Sequence, residues 1–307
     1  MRELKNKLTV SKNTKNIQRR KGKSFGYQVL GFGAGSSVVK YDADYLIIAG
    51  GGSTGHASGG GGAGGYRSSY GSCAAACGVD KLTFEAGCYT IDIGAGASAA
   101  AHGNKGSNSN ICGTGICFSS TGGGKGGQAG GSGGGTGFHG GTAGAGNEGG
   151  YTPVEGYAGG PGSPGHGKPG GGGGASQVGT PGCGDRSGGD GLTSGITGSC
   201  VARGGGGGGS QNGSAGSGPG GTGGGGTGTG QAGGAGQPGT ANTGGGGGDG
   251  GPTLGTGGNG GSGIVVVRFP GCATISVSPG TNSVSACVGP SNDKVATFTV
   301  DGTLTVA

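Results

Sequence analysis

Large apolar side chains come in short runs along this chain, separated by long stretches that hold almost none. Phe25, Tyr27 and Val29 alternate with smaller or polar residues, a spacing that predicts an extended segment. Val38 to Ala49 adds a second segment and ends in the apolar run Tyr45-Leu46-Ile47-Ile48-Ala49. Val79 to Phe84 and Cys88 to Ile93 predict two short strands about a turn at Glu85-Ala86-Gly87. In the second, Tyr89, Ile91 and Ile93 alternate with Thr90 and Asp92, which gives one buried face. Ile111 to Phe118 is a third short segment, and Ile264 to Phe269 is a continuous apolar strand. Towards the end, a turn centred on Pro279-Gly280 would place Ile275 opposite Val284, Ala273 opposite Ala286 and Cys272 opposite Cys287. Asp301-Gly302 is a second hairpin signal. A two-residue turn there sets Phe298 against Thr305 and Thr299 against Leu304, with the apolar sets on opposite faces. A bulge or a sheet covered on both faces is then required.

Between Tyr45–Ala49 and Ile264–Phe269 glycine is the commonest residue, and it makes up 98 of the 307 residues, against a usual share of about 7%. Helix is excluded there, because glycine costs about 1 kcal/mol per position relative to alanine. Strands are poor as well, since little is available to pack on their faces. Gly159-Gly160-Pro161-Gly162-Ser163-Pro164-Gly165 fits a collagen period. The register fails at Lys168, and the chain has only 11 prolines, so a collagen triple helix is excluded. Composition alone would also fit disorder. The reading adopted is a bundle of extended helices with three residues per turn, the polyglycine II form of polyproline II. Neighbouring backbones then bond to one another without a side-chain core. The expected fold class is mostly β and irregular. Short strands frame a glycine-rich bundle, with essentially no α-helix in the body. The two apolar segments that bracket the field are expected to be strands of one sheet.

The expected organisation is a basic arm and anchoring segment over 1–44, a glycine-rich body over 45–270 and C-terminal hairpins over 271–307. Residues 1–23 hold nine Lys/Arg and one Glu, a charge of +8, whereas the whole chain is +6, so the rest is −2. Arg19, Arg20, Lys21 and Lys23, followed by Phe25 and Tyr27, are the candidate anchoring and assembly residues. The arm reads as docking on an acidic partner surface. No aromatic interleaving points to nucleic acid, so none is expected as a partner. Polar and basic residues follow Met1 without the apolar core of a signal peptide, and no run of 18 apolar residues occurs. Synthesis in the cytoplasm without membrane insertion is the expectation.

Nine cysteines leave at least one unpaired within the chain. Cys272 with Cys287 is the leading disulfide candidate, and Cys73 with Cys77 and Cys112 with Cys117 are local ones. Their spacings do not suit zinc. Matches to G-x-S-x-G, such as Gly51-Gly52-Ser53-Thr54-Gly55, lack the strand and helix of a nucleophile elbow. Gly162 to Lys168 approaches a P-loop but has Pro169 where Ser or Thr must stand. The four histidines, His56, His102, His139 and His166, lie in glycine runs without paired carboxylates. No catalytic residue, metal or cofactor is therefore expected, and an enzyme is not the expectation. Lys125, His139, Tyr151, Tyr157 and His166 are the candidate rim residues that could face a receptor.

Four segments together resemble a known family. They are Tyr45-Leu46-Ile47-Ile48-Ala49-Gly50-Gly51-Gly52, Gly59 to Arg67, Gly87-Cys88-Tyr89-Thr90-Ile91-Asp92-Ile93-Gly94-Ala95-Gly96, and Gly260 to Phe269. They are similar to the glycine-rich domain of bacteriophage virion proteins, common in tail and head fibres of marine phages. Lys23 to Gly33 looks like the leader of such proteins. In that family a Thr-Phe-Thr hairpin usually precedes the Tyr-Leu-Ile-Ile strand, whereas its counterpart here, Thr297 to Val306, lies at the C-terminus. The resemblance implies a trimeric virion appendage, assembled in the host cytoplasm and carried on the virion. It would be anchored by its basic arm to portal, capsid or tail proteins, and its glycine body would meet a host glycan or outer-membrane protein. A capsid or tail decoration, or a filament protein without receptor binding, is the alternative. An ice-binding protein would need a regular face of Thr or Ala that the spacing does not supply.

Overall fold

The computed structural model describes residues 38–71, 80–164, 167–211, 216–230, 233–252 and 255–307. Lys40–Ala307 forms one compact unit. Thirteen strands are present among the described residues, and no helix. In chain order they are β1 Lys40–Ile48, β2 Tyr66–Ser68, β3 Leu82–Glu85, β4 Gly87–Asp92, β5 Ser109–Gly113, β6 Ile116–Ser120, β7 Leu192–Ser194, β8 Val201–Arg203, β9 Ile264–Phe269, β10 Ile275–Ser278, β11 Ser283–Val288, β12 Asp293–Phe298 and β13 Gly302–Val306.

The two apolar segments that bracket the glycine field do pair. β1 and β9 are antiparallel, with Ile48 opposite Ile264 and Asp44 opposite Arg268. They are the centre of a sheet ordered β11-β12-β9-β1-β2, with β3 also on β1. A second sheet is ordered β10-β13-β4-β5-β6, and all the pairings are antiparallel. The sheets face each other across a core that takes Tyr45 and Ile47 from β1, Val265, Val267 and Phe269 from β9, and Phe298 from β12. Tyr89 and Ile91 from β4, Ile111 from β5 and Leu304 from β13 meet them. Aromatic edges lock this core, with Tyr45 and Phe118 at 4.7 Å and Phe84 and Tyr89 at 4.9 Å between ring centres. On the opposite face of the first sheet, Leu46, Ile48, Ile264, Val266 and Val295 pack with Tyr66, Ala175 and Ile196. Burial on both faces explains why β1 and β9 read as continuous apolar runs rather than as an alternation.

Both expected C-terminal hairpins are corrected by this topology. Ile275 pairs with Val306 and Val284 with Ala296, so β10 and β11 lie in different sheets and do not oppose each other. β12 pairs with β9 and β11, and β13 with β10 and β4. The chain therefore crosses between sheets at Pro279-Gly280 and again at Asp301. This crossing resolves the parity conflict, because Phe298 and Leu304 enter the same core from opposite sides. Buried Asn282 ties the two crossings together. Its Oδ1 accepts from the N–H groups of Thr299 (3.1 Å) and Val300 (3.3 Å), and its Nδ2 donates to the Ser278 carbonyl (3.4 Å). Asp301 caps β4 instead of turning a hairpin, since its Oδ1 accepts from the Ile93 N–H at 2.7 Å. The expected turn at Glu85-Ala86-Gly87 is likewise a crossing, with β3 on β1 and β4 on β13 and β5.

The glycine field has its own bonding rule, which the run 60–65 shows. Gly60 donates to Gly170, Gly61 to Gly247, Gly62 to Gly124, Ala63 to Gly173, Gly64 to Gly244 and Gly65 to Thr121, at 2.8–3.0 Å. The donor direction rotates through three neighbouring runs and returns every third residue. The carbonyls of Gly60, Gly61 and Gly62 accept from Gly135, Gly207 and Gly52, three further runs. Six neighbours with a three-residue repeat is the pattern of packed helices with three residues per turn. In this run the backbone polar groups are satisfied between runs, as burial requires. Contact is correspondingly close: a Cβ on Gly61 would stand 2.3 Å from the Gly52 carbonyl oxygen.

Candidate functional site

The segment 147–157 is a surface loop of the glycine body held at its base by side-chain hydrogen bonds. Asn147, at φ 56°, organises it: its Oδ1 accepts from the N–H groups of Tyr151 (3.1 Å) and Glu155 (3.3 Å), and its Nδ2 donates to the Tyr151 carbonyl (3.0 Å). Glu155 is fully buried. Its carboxylate accepts from the Thr121 N–H (2.9 Å), the Gly149 N–H (3.3 Å) and the Ser120 hydroxyl (3.4 Å). Its carbonyl accepts from the Tyr66 N–H at 2.7 Å. Tyr151 covers one face of the Arg67 guanidinium at 3.8 Å and Phe118 covers the other at 3.6 Å. Burial holds the Arg67 pKa below its ordinary value, opposed by the nearby Tyr45, Tyr151 and Glu155. With its base fixed in this way, the loop turns Thr152, Pro153 and Val154 to solvent, Val154 at 49% and Tyr157 at 39% exposure. A contact surface on a rigid support needs little ordering when a partner binds.

Glu155→Ala leaves the Thr121 and Gly149 N–H groups without their carboxylate acceptor, while the Ser120 hydroxyl keeps the Gly65 carbonyl. We expect a loss of about 2 kcal/mol and faster proteolytic cleavage within 147–157, read by mass mapping of a limited digest. A digest identical to that of the wild type contradicts the anchoring role.

A second feature is a cleft of about 350 Å³ lined by His56, Ala99, Ala100, Ala101, Gly255, Thr256 and Gly257. The His102 ring lies 6.3 Å from that of His56, centre to centre. Nearby in the chain fold, Asp249 is fully buried. It accepts from the Ser58 N–H (2.9 Å) and hydroxyl (3.4 Å), and from the Ser210 N–H (3.2 Å) and hydroxyl (2.7 Å). Burial outweighs these donors and raises its pKa from 3.8 to about 6. The folded form therefore takes up a proton that the unfolded chain does not hold in this range. The resulting stability is fully present below the unfolded value and is lost as pH rises through about 6, an effect on the order of 2–3 kcal/mol. We expect the melting temperature of the wild type, relative to Asp249→Asn, to fall between pH 4 and 7. A difference that does not change with pH contradicts this assignment.

The structure sorts the sequence candidates. Tyr157 and His139 are exposed, and His139 stacks on Phe138 at 4.0 Å. Lys125 is half-buried, and its carbonyl closes a turn with the Gln128 N–H at 2.9 Å. Tyr151 is not a free rim residue but one wall of the Arg67 cage. Cys112 and Cys117 are directly opposed on β5 and β6 and form a disulfide. Cys272 and Cys287 are exposed free thiols, which corrects their expected bridge: β11 pairs with β12 and not with β10, so the register that opposed them does not exist. Arg19, Arg20, Lys21, Lys23, Phe25, Tyr27, Cys73, Cys77 and His166 lie outside the described residues. Arg67, Asn147, Glu155 and the pair His56 and His102 were not singled out from sequence as partners, since each meets its neighbours across long separations. Among the described residues no group of three or more metal-ligating side chains occurs, and no helix is long and apolar enough to cross a membrane.

Together these features define a class: a glycine bundle bonded through its backbone, closed by a two-sheet β-sandwich and displaying rigid loops. The chain belongs to the glycine-rich domain family, whose match spans residues 34–270. No curated protein and no solved structure matches the chain.

Proposed function

We propose that this chain is a structural appendage of a bacteriophage virion, a fibre or adhesin. Its basic arm anchors it to portal, capsid or tail proteins, and its glycine body meets a host glycan or outer-membrane protein. The observation that carries this reading is the loop 147–157, an exposed Thr152-Pro153-Val154 tip on a base of buried hydrogen bonds. The charge of residues 1–23 and the similarity of the apolar segments to phage glycine-rich domains support the anchoring half. In this reading the chain is not an enzyme, works as a homotrimer, and is carried on the virion.

The test is antibody-labelled electron microscopy of virions, followed by deletion of residues 1–30. We expect label on an appendage and its loss on deletion. Label confined to the capsid interior, or incorporation unchanged by the deletion, overturns the reading. A second reading is favoured by one observation. β11 is a sheet edge exposed from Ser283 to Cys287 and carries no charge; its register shifts between Ser285 and Val288, so residues 283–285 are the regular stretch left open to another chain. A decoration or filament protein that assembles through β11 and binds no receptor would use this edge. Full-length protein that sediments with host envelopes, and ceases to do so when Val154→Asp and Tyr157→Ala are combined, separates the adhesin from the filament.

A further inference from the structure

We propose that His56 and His102 form a two-imidazole site for a divalent transition metal at the cleft that His56 lines. The chain has four histidines. Two of them, from distant parts of the glycine field, are brought side by side by a backbone bridge between Gly55 and His102. Two rings sharing one ion at the usual metal–nitrogen distance of about 2.0–2.1 Å have centres about 5 Å apart at a tetrahedral angle and about 6.5 Å apart when they bind from opposite sides of the ion. The observed 6.3 Å matches the opposite-sided arrangement.

Both imidazoles stand on fixed backbone. On one side the Ala57 N–H donates to the Gly250 carbonyl (2.9 Å), the Gly250 N–H to the Gly55 carbonyl (3.0 Å), and the Gly55 N–H to the Ser58 hydroxyl (2.9 Å). Ala57 itself has φ 49°. On the other side Gly103, at φ 70°, turns the chain after His102 and donates to the Ala100 carbonyl at 3.1 Å. Little ordering is then left for the metal to impose.

The donor set selects the ion. The Asp249 carboxylate is occupied by Ser58 and Ser210, so no hard oxygen anion is offered, and calcium and magnesium are disfavoured. Two imidazoles on opposite sides of an ion suit tetragonal Ni(II) or Cu(II) rather than tetrahedral Zn(II). With no third described ligand, the remaining coordination positions are left to water or to a donor carried by another molecule. The site is independent of the appendage reading, since it concerns affinity for the ion alone.

The experiment uses the full chain with its thiols alkylated, because Cys88, Cys183, Cys272 and Cys287 are exposed and would compete for the metal. Titration with Ni(II) by calorimetry is expected to show one saturable equivalent. His56→Ala or His102→Ala each weakens it at least tenfold, and His139→Ala leaves it unchanged. Nuclear magnetic resonance of the wild type gives a readout that does not depend on the fold of a variant: Ni(II) should broaden the His56 and His102 ring protons together. Binding that survives both single substitutions, or broadening that reaches only one of the two rings, overturns the proposal.

Discussion

Gly207→Ala is expected to destabilise the protein by about 3 kcal/mol or more, an effect usually reserved for large core residues. Gly207 sits where three runs meet. Its N–H donates to the Gly61 carbonyl and its carbonyl accepts from the Gly172 N–H, both at 2.8 Å. A Cβ there would stand 1.9 Å from the Gly247 carbonyl oxygen. The atom in the way is backbone, and Gly247 is itself bonded to Gly61 and Gly52, so no side chain can swing aside. Alanine must push runs apart and break several inter-run hydrogen bonds, and overpacking adds to the cost of the unpaired groups. Gly280→Ala is the control, because nothing lies within 4 Å of a Cβ at that position, and a shift within about 0.5 kcal/mol is expected. Thermal or denaturant unfolding of the two variants measures the contrast. Equal stability of Gly207→Ala and wild type contradicts close inter-run contact.

The second large effect is expected at Arg268, a charged residue next to the end of the apolar strand β9. It is 6% exposed and holds three elements at once. Its Nε donates to Asp293 of β12 (2.9 Å), its Nη1 to the Ile196 carbonyl (3.1 Å) and its Nη2 to the Val288 carbonyl of β11 (3.2 Å). The Tyr70 ring lies 5.0 Å away. Arg268→Ala strands a partly buried carboxylate and two carbonyls, for which about 3–5 kcal/mol is expected. Arg268→Lys should recover only part of this, because an ammonium cannot reproduce the planar fork of donors. A double-mutant cycle with Asp293→Ala isolates the ion pair from the carbonyl bonds. A loss below about 1 kcal/mol for Arg268→Ala contradicts the clamp.

The legible part of this fold was the part written in large side chains. Tyr45 to Ala49 and Ile264 to Phe269 stand out against glycine, and their pairing followed because both are apolar on two faces. The bundle was legible in kind, since a chain with so little to bury can order only through its backbone. Its connections were not: Gly61 bonds to Gly247 and Gly62 to Gly124, yet all four look alike in sequence. The C-terminal strands were misassigned for a different reason. Ile275 and Val284 fit a local register, but a register cannot show that the chain changes sheets between them. The candidate loop was half legible. Tyr151 and Tyr157 read as rim residues, whereas the Arg67 cage of which half-buried Tyr151 is one wall depends on β2 and β6 meeting it. His56 and His102 gave no local signal, because only the bridge at Gly55 brings them together.

Amide hydrogen exchange across the glycine field tests the backbone-bonded bundle most directly. The N–H groups of Gly60–Gly65 and Gly244–Gly248 should exchange only with global unfolding, as slowly as those of β1 and β9. Exchange of these glycines at the rate of an unfolded chain, while the sandwich strands stay protected, would contradict the account.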